Sequence, residues 1–203
     1  MPDVEEALAP DQLTRGVGAR LRELRREKGM SARFLAQRLH ISPSAVSQIE
    51  RGVLQPSVSR LIAITDALGI PLAAVFDGRE EPDPAAPADA AFGLQRAGES
   101  SSVSLDSGVT FRRLAPGRTP GVDYFESTYP AGATASADAA LFRHEGYEVG
   151  TMMSGELTID FDDERVILRA GDSISYPCSR PHRIHNTGAE EAVARWLIVH
   201  EAR

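Results

Sequence analysis

Three side chains in the second half of the sequence could together hold a divalent metal ion: His144, Glu148 and His182. Two imidazoles and one carboxylate suit a transition metal that keeps open coordination positions, as in non-haem iron sites. A strand rises about 3.3 Å per residue, so His144 and Glu148 would lie about 13 Å apart on one extended strand. A shared metal therefore requires the chain to bend between them, which it can do at Glu145 and Gly146. The alternative is that each histidine is only hydrogen-bonded to its neighbours in a β domain.

His185 does not extend this set. Successive residues of a strand point to opposite faces, so His182, Ile184 and Asn186 share one face while Arg183 and His185 take the other. His182 and His185 are therefore not expected to bind one ion together.

A second kind of chemistry is carried by the segment from Ser42 to Arg51. Helical spacing turns Val46 and Ile49 toward a core and leaves an outward face of short polar side chains and one guanidinium. That face consists of Ser44, Ser47, Gln48 and Arg51. Hydroxyl, amide and guanidinium groups are those that reach base edges and phosphates in a DNA major groove.

Helical spacing of apolar residues continues up to about residue 76 and predicts an all-α domain of five short helices. Serine N-caps, a proline at the first helical position and glycines after the last turn mark their ends. The expected helices run from Leu13 to about Lys28, from the N-cap Ser31 to His40, from the N-cap Ser42 to Arg51, from about Ser57 to Leu68, and from Leu72 to Phe76. The second and third are separated by almost nothing, which predicts a helix-turn-helix.

Behind residue 104 the pattern changes to short alternating runs between glycine, proline and aspartate turns. About eight such runs predict an all-β sandwich or jelly roll. They are VTFRRL, YFESTY, VGTMM, ELTIDF, RVILR, SISYP, HRIHN and VARWLIVH.

The 203 residues and 42% hydrophobic content fit one large or two small globular domains. We predict an acidic tail at 1–12, a helix-turn-helix domain at 13–79, a linker rich in proline, alanine and acidic residues at 80–104, and a β domain at 105–203. A single cysteine excludes an intrachain disulfide and a cysteine-rich zinc site. Neither a signal peptide nor an apolar run of about 18 residues is present, so we expect a cytoplasmic protein without membrane contact.

The net charge of −7 is unevenly distributed. Residues 13–79 hold eleven basic and five acidic side chains, whereas residues 80–203 hold eleven basic and twenty acidic ones. The first domain is therefore suited to a polyanion and the second is not. The acidic stretch 156–164 is interpreted as a solvated hairpin.

The run from about Gly18 to Phe76 resembles the Cro and phage-repressor type of helix-turn-helix, the xenobiotic-response-element family. Its pattern LAQ…SPSAVSQIERG…PS…L…I…ALG carries the resemblance. The resemblance implies that the chain binds double-stranded DNA, with Ser44, Ser47 and Gln48 reading bases. The other residues that it places on the DNA-binding face, chiefly toward the backbone, are Arg33, Gln37, Ser42 and Arg51. Pro43 departs from the family, which often has a polar base-reading side chain there.

From about Phe142 to Asn186 the chain resembles a cupin, a small jelly-roll barrel. The spacing His144, Glu148, Gly155 matches the first cupin motif from its second histidine onward. Gly171, Pro177, His182 and Asn186 match the second motif. The family's first histidine falls at Phe142, and its glycine after the proline falls at Ser179. The resemblance thus implies a three-ligand site of His144, Glu148 and His182 for Fe, Zn, Ni or Mn, or a sensor that works without metal.

Together the two resemblances imply a one-component transcriptional regulator that acts as a homodimer on a near-palindromic operator. A small-molecule effector in the barrel would modulate DNA binding. The expected pocket residues are Phe111, Tyr124, Phe142, Met152 and Tyr176. The alternative is an enzyme, because some proteins with this domain pair are iron-dependent oxygenases or epoxidases with a His, Glu, His triad. A third interpretation is redox sensing by Cys178, if Arg180 and Arg183 lower its pKa.

Two substitutions separate the DNA contacts. Arg51→Ala should weaken binding to all duplexes alike and flatten the salt dependence by about one unit, because phosphate contacts carry no sequence information. Gln48→Ala should instead relax base preference. Fluorescence anisotropy with matched and mismatched duplexes at several salt concentrations measures both. An equal loss on every sequence for both variants would contradict these roles.

Overall fold

The computed structural model describes residues 10–76, 93–96, 100, 102–116, 119, 121–136, 138 and 140–200. Most of the predicted acidic tail and linker lie outside these residues. Within them the chain forms a helical domain followed by a two-sheet β barrel, as the sequence predicts.

Over residues 10–76 the helical domain has four α-helices and a 3₁₀ turn in place of the expected five helices. They are α1 (Pro10–Glu27), α2 (Ala32–Arg38), α3 (Pro43–Glu50), α4 (Val58–Leu68) and the 3₁₀ turn Leu72–Val75. The first helix begins inside the predicted tail because proline is tolerated in the first turn of a helix. The side chains of Ser31, Ser42 and Ser57 cap α2, α3 and α4 as predicted, each accepting a bond from a backbone N–H three residues on.

The outward position of α3 is fixed by its contact with α1. A side chain at Gly18 would place its Cβ 2.2 Å from the Ile49 carbonyl oxygen, so only glycine permits this approach. Beside it Arg25 forms a buried two-point ion pair with Glu50, at 2.5 Å from Nε to Oε1 and 2.9 Å for the second bond. The same guanidinium donates to the Met30 carbonyl oxygen at 2.6 Å. The charges of Arg25 and Glu50 thus have partners although both side chains are buried.

Among the described residues the barrel contains nine strands in two sheets. They are β1 (Ser102–Ser104), β2 (Thr110–Arg113), β3 (Val122–Tyr129), β4 (Tyr147–Ser154), β5 (Glu156–Phe161), β6 (Arg165–Arg169), β7 (Ser173–Pro177), β8 (His182–His185) and β9 (Ala192–Val199). The larger sheet has the order β1-β2-β3-β9-β4-β7, and the smaller one has β6-β5-β8. Eight of the strands coincide with the predicted runs.

Strand β1 corrects the predicted linker, whose last three residues it occupies. It pairs with β2 and contacts α1. The sequence does not reveal it because only Val103 of its three residues is buried, too short a pattern to distinguish a strand from a linker.

The helical domain packs directly on the barrel. Backbone N–H groups of Ser59 and Asp106 donate across the boundary, to the carbonyl oxygens of Ala135 at 2.9 Å and Pro56 at 3.0 Å. The Ala73 N–H donates to Asp123 Oδ1 at 3.3 Å, and Asp123 Oδ2 lies 2.9 Å from His200 Nε2. The Phe76 and Phe125 rings stand 5.1 Å apart. The apolar core is therefore continuous from the helices into the barrel.

Glu50→Gln should lower the free energy of unfolding by roughly 3–5 kcal/mol, because it leaves the buried Arg25 charge without its counter-ion. Urea denaturation followed by circular dichroism measures the change. The matched control is Glu23→Gln, since Glu23 is an exposed partner of Arg20 at 3.2 Å and such pairs contribute about 0–1 kcal/mol. Equal small losses for both variants would show that the buried pair does not stabilise the domain.

Candidate functional site

The bend that a shared metal site requires is present between His144 and Glu148. Gly146 has a φ of +110°, which a side chain would strain, and a Cβ there would lie 2.9 Å from the Val199 carbonyl oxygen. The segment is tied to the loop before β8 by bonds from the His144 N–H to the Cys178 carbonyl at 3.1 Å and from the Cys178 N–H to the Gly146 carbonyl at 2.9 Å. Glu148 thus lies on β4 while His144 precedes the strand.

The structure brings His144, Glu148 and His182 together inside the barrel, and all three are buried. His144 Nε2 is 3.9 Å from Glu148 Oε1, and His182 Nε2 is 3.7 Å from Glu148 Oε2. Two ligands of one ion can be separated by at most about 4.2 Å when each bond is about 2.1 Å. Both separations from Glu148 are therefore compatible with a common metal, and one ligand atom from each of the three residues lies within 4.8 Å of the others.

The protonation of both imidazoles follows from their other nitrogens. Nδ1 of His144 donates to the Glu145 carbonyl oxygen at 3.1 Å, and Nδ1 of His182 donates to the Arg180 carbonyl oxygen at 2.8 Å. A carbonyl oxygen can only accept, so each Nδ1 carries the proton and each Nε2 presents a lone pair. Neither Nε2 has a hydrogen-bond partner among the residues that the structure describes. Two lone pairs thus face a carboxylate across less than 4 Å, an arrangement that a cation would satisfy.

Burial shifts the pKa values of His144, His182 and Glu148, in each case toward the neutral form of the side chain. Desolvation lowers the pKa of His144 to about 4, with a further contribution from His182, and lowers the pKa of His182 as well. Desolvation raises the pKa of Glu148 to about 7, although a hydrogen bond from the Tyr176 hydroxyl opposes this. Both imidazoles are therefore neutral at physiological pH, the form that binds metal.

Phe142 forms an apolar wall where the cupin motif has its first histidine. Its backbone exchanges two 2.9 Å bonds with His182, and the two ring centroids stand 4.6 Å apart. The His144 ring is 5.9 Å away. His185 lies on the other face of β8, as predicted, with Nε2 2.9 Å from Asp160.

The expected effector pocket is only partly assembled. Phe142 and Tyr176 border the His–Glu–His cluster, and Met152 is buried on the same inner face of the larger sheet. Phe111 instead packs against Phe125 at 6.0 Å, in the contact with the helical domain. Tyr124 lies on the outer face of β3, because Phe125 and the other odd-numbered residues of that strand are the buried ones. The prediction was wrong for Tyr124 as a lining residue.

A groove of about 480 Å³ opens elsewhere on the barrel, and sequence reasoning missed it. It is lined by Leu141, Asp160, Phe161, Glu164, Arg165 and Arg183. The Phe161 ring lines the groove, and its centroid lies 5.2 Å from that of the Tyr176 ring. The Arg180 guanidinium lies 4.0 Å from the Phe161 ring centroid. The alternation of inward-facing apolar residues along β5 is the sequence pattern that could have identified Phe161.

Cys178 does not have the environment of a redox sensor. The thiol is buried, and desolvation together with the Glu148 charge raises its pKa, opposite to the expected direction. Arg180 pairs with Asp163 and Glu164, and Arg183 pairs with Asp160.

The DNA-binding candidates lie on α2, on α3 and at the residues that flank α3. Arg33 and Gln37 of α2, together with Ser42, Ser44 and Arg51 around α3, are exposed, and Ser47 and Gln48 are half-buried. Val46 and Ile49 are buried, as predicted. The Ser42 hydroxyl accepts from the Ala45 N–H at 3.1 Å, and Arg51 Nε donates to the Ser47 carbonyl oxygen at 3.1 Å. Three apolar side chains near this surface, Phe34, Val53 and Leu54, are also exposed.

Comparison with known proteins identifies both domains. Residues 21–75 match the helix-turn-helix family, and residues 125–200 match the cupin domain. The chain is therefore a DNA-binding transcriptional regulator that joins a helix-turn-helix domain of the xenobiotic-response-element type to a C-terminal cupin domain. Among the described residues no helix is long and apolar enough to cross a membrane.

Its relatives include regulators of the same length. The chain is 29% identical over 198 residues to the HTH-type transcriptional regulator PuuR of Escherichia coli, covering 97% of this chain and 96% of that one. It is 48% identical over 54 residues to the regulator RamB of Mycobacterium tuberculosis, covering 27% of this chain and 11% of that one. The crystal structure of an HTH_3 family transcriptional regulator from Vibrio cholerae has the same fold, with a TM-score of 0.68, 20% identity and coverage of 96% of this chain and all of that one. These relatives support the regulator interpretation over the oxygenase alternative.

Proposed function

We propose that a divalent transition metal bound by His144, Glu148 and His182 is part of the signal that this regulator reads, and that a small-molecule effector joins it in the barrel. The observation that carries the proposal is the pair of buried Nε2 lone pairs facing Glu148. When bound, the metal would supply a positive charge and an open coordination position. His144 and His182 are held as ligands by their Nδ1 bonds to backbone carbonyls, and Tyr176 orients the carboxylate.

The site is coupled to the helical domain through β9. Ile198 of that strand stands opposite Glu148 on one side and opposite Asp123 on the other. Asp123 accepts from the Ala73 N–H of the helical domain, so Glu148 and the residue that contacts the helical domain stand on the same cross-strand row of the sheet. His200 extends this contact, because it pairs with Asp123 and lies beside Gly146 in the His144–Glu148 bend.

These contacts support a route by which occupation of the metal site would reach the helical domain. Metal binding would draw together the three side chains and shift the Gly146 bend, and the domain contact lies against that bend. The effector changes operator affinity only to the extent that it binds differently to the two resulting arrangements. DNA contact is assigned to Arg33, Gln37, Ser42, Ser44, Ser47, Gln48 and Arg51.

The metal should stabilise the protein and change its affinity for DNA. At a metal concentration one hundred times Kd, the unfolding temperature should rise by about 5–10 °C. The test adds Fe²⁺ under anaerobic conditions, Zn²⁺, Ni²⁺ or Mn²⁺ and measures both thermal unfolding and anisotropy of a DNA fragment from the protein's own locus. The Glu148→Gln variant should lose both responses to metal. Without metal, it should bind DNA as tightly as the metal-free wild type does.

The matched control is Glu191→Gln, which changes an exposed carboxylate of the same domain and should respond as the wild type does. Absence of any metal effect on wild-type unfolding would refute the metal site. A stabilising metal that leaves DNA affinity unchanged, with oxygen uptake by the iron-loaded protein, would favour the oxygenase alternative instead.

We also propose a homodimer formed through the outer face of the larger sheet. Tyr147, Val149 and Val199 are 45%, 39% and 41% exposed, and they are neighbours across the β4–β9 register. Exposed apolar patches of this kind mark interaction sites, and a twofold axis would let two copies bury the same face. Two helix-turn-helix domains about 34 Å apart then read adjacent major grooves of a near-palindromic operator.

Val149→Lys should convert the dimer to a monomer and weaken operator binding, because it places two charges in the shared face. Size-exclusion chromatography with light scattering reports the mass. Ile167→Lys is the control, since Ile167 is equally exposed, at 43%, on the smaller sheet. A wild-type monomer, or loss of the dimer only in the control, would refute this interface.

A further inference from the structure

Besides His144, Glu148, His182 and Tyr176, the phenol of Tyr129 also lies on the inner side of the barrel. Tyr129 ends β3 on its inner face, where Phe125 and Ser127 are also buried. Tyr129 is completely buried, and its hydroxyl has no hydrogen-bond partner among the described residues. A buried hydroxyl without a partner costs folding free energy, so its presence calls for a missing partner.

The register of the larger sheet places Tyr129 on the same face as Glu148. Tyr129 stands opposite Ala192 of β9, and Ile198, six residues further along the same face of β9, stands opposite Glu148. After desolvation, the Glu148 carboxylate is the group that raises the pKa of the Tyr129 phenol. The phenol of Tyr176, which donates to Glu148, is affected by Tyr129 in turn. The Tyr129 hydroxyl and the His–Glu–His cluster therefore face the same interior. Three polar atoms there have no hydrogen-bond partner in the part of the chain that the structure describes: Tyr129 Oη, His144 Nε2 and His182 Nε2.

The charge of the loaded centre defines what would fill this space. A divalent ion, one carboxylate and two neutral imidazoles leave a net charge of +1 in a buried setting that Phe142 makes apolar. A buried net charge is unfavourable unless it is paired, so the open coordination position favours a monoanion. A phenol that keeps its proton can donate to such an anion but cannot replace it.

We infer that the Tyr129 hydroxyl is a ligand-recognition group that donates a hydrogen bond to a small oxyanion, such as a carboxylate, bound at the position that His144, Glu148 and His182 leave open. This inference rests on the proposed metal site. It assigns the effector, or one end of it, to the class of small carboxylates, and it gives Tyr129 a role distinct from that of Tyr176, which orients a protein ligand.

The test uses the full chain loaded with Co²⁺ and acetate as the probe. The visible absorption of Co²⁺ should change as acetate binds, and Tyr129→Phe should weaken acetate binding by roughly tenfold or more, because it removes a charge-assisted hydrogen bond. Co²⁺ binding itself should be retained. In the metal-free protein Tyr129→Phe should not lower the unfolding temperature, since the removed hydroxyl has no partner to lose.

Tyr124→Phe is the matched control, because Tyr124 is on the same strand but on its outer face, and it should leave acetate binding unchanged. Methylammonium, a cation of similar size, should not alter the Co²⁺ spectrum of the wild type. Equal acetate affinity in wild type and Tyr129→Phe would overturn the inference, as would an equal loss of stability with and without metal, which indicates a purely structural role. Failure of the wild type to bind Co²⁺ would instead refute the metal site.

Discussion

The direct packing of the helical domain on the barrel is the constraint on which the proposed regulation depends. Asp123 is nearly inaccessible to solvent, and its two carboxylate oxygens serve different domains, one accepting from Ala73 and the other pairing with His200. A buried carboxylate is costly unless both oxygens have hydrogen-bond partners. Separating the domains would therefore expose the Asp123 carboxylate to solvent or leave one of its oxygens without a partner. The hydrogen bond from the Asp106 N–H to the Pro56 carbonyl oxygen also connects the segment after α3 to the barrel. The two domains therefore respond to each other's position, whatever the connection between them.

The protonation states of the His–Glu–His cluster are a second constraint on the barrel interior. Burial favours a protonated Glu148 and neutral histidines when the cluster is alone, whereas a cation reverses the preference of the carboxylate. The backbone carbonyls of Glu145 and Arg180 fix both rings in the ligating tautomer in advance. The protein thus prepares the lone pairs before any ligand arrives, and this preparation lowers the entropic cost of binding.

Much of this architecture can be predicted from the sequence, for identifiable reasons. Strands β5, β6 and β7 have the predicted bounds because turns with glycine or acidic residues delimit them, and the N-caps of α2, α3 and α4 follow from serines at the right positions. The phase of β3 could not be predicted, because Tyr124 and Phe125 are both aromatic and a shift of one residue exchanges the inner and outer faces. The contact of Asp123 with Ala73 joins residues fifty positions apart and leaves no local pattern. For the same reason Tyr129 could be identified as a site residue only in three dimensions.

The residues of helix α3 that pack against α1 differ from those proposed to contact DNA. Val46, Ile49 and Glu50 face inward and hold the helix against α1, whereas Ser44 is exposed and the side chains of Ser47 and Gln48 are half-buried. We expect that the residues of α3 outside the buried set can be exchanged for those of another DNA-binding helix with little effect on the packing against α1. A chimaera that keeps the inward positions and the barrel would answer to the same chemical input at a different set of promoters. The same division allows duplicated copies to diverge in the genes they control while their sensing remains unchanged.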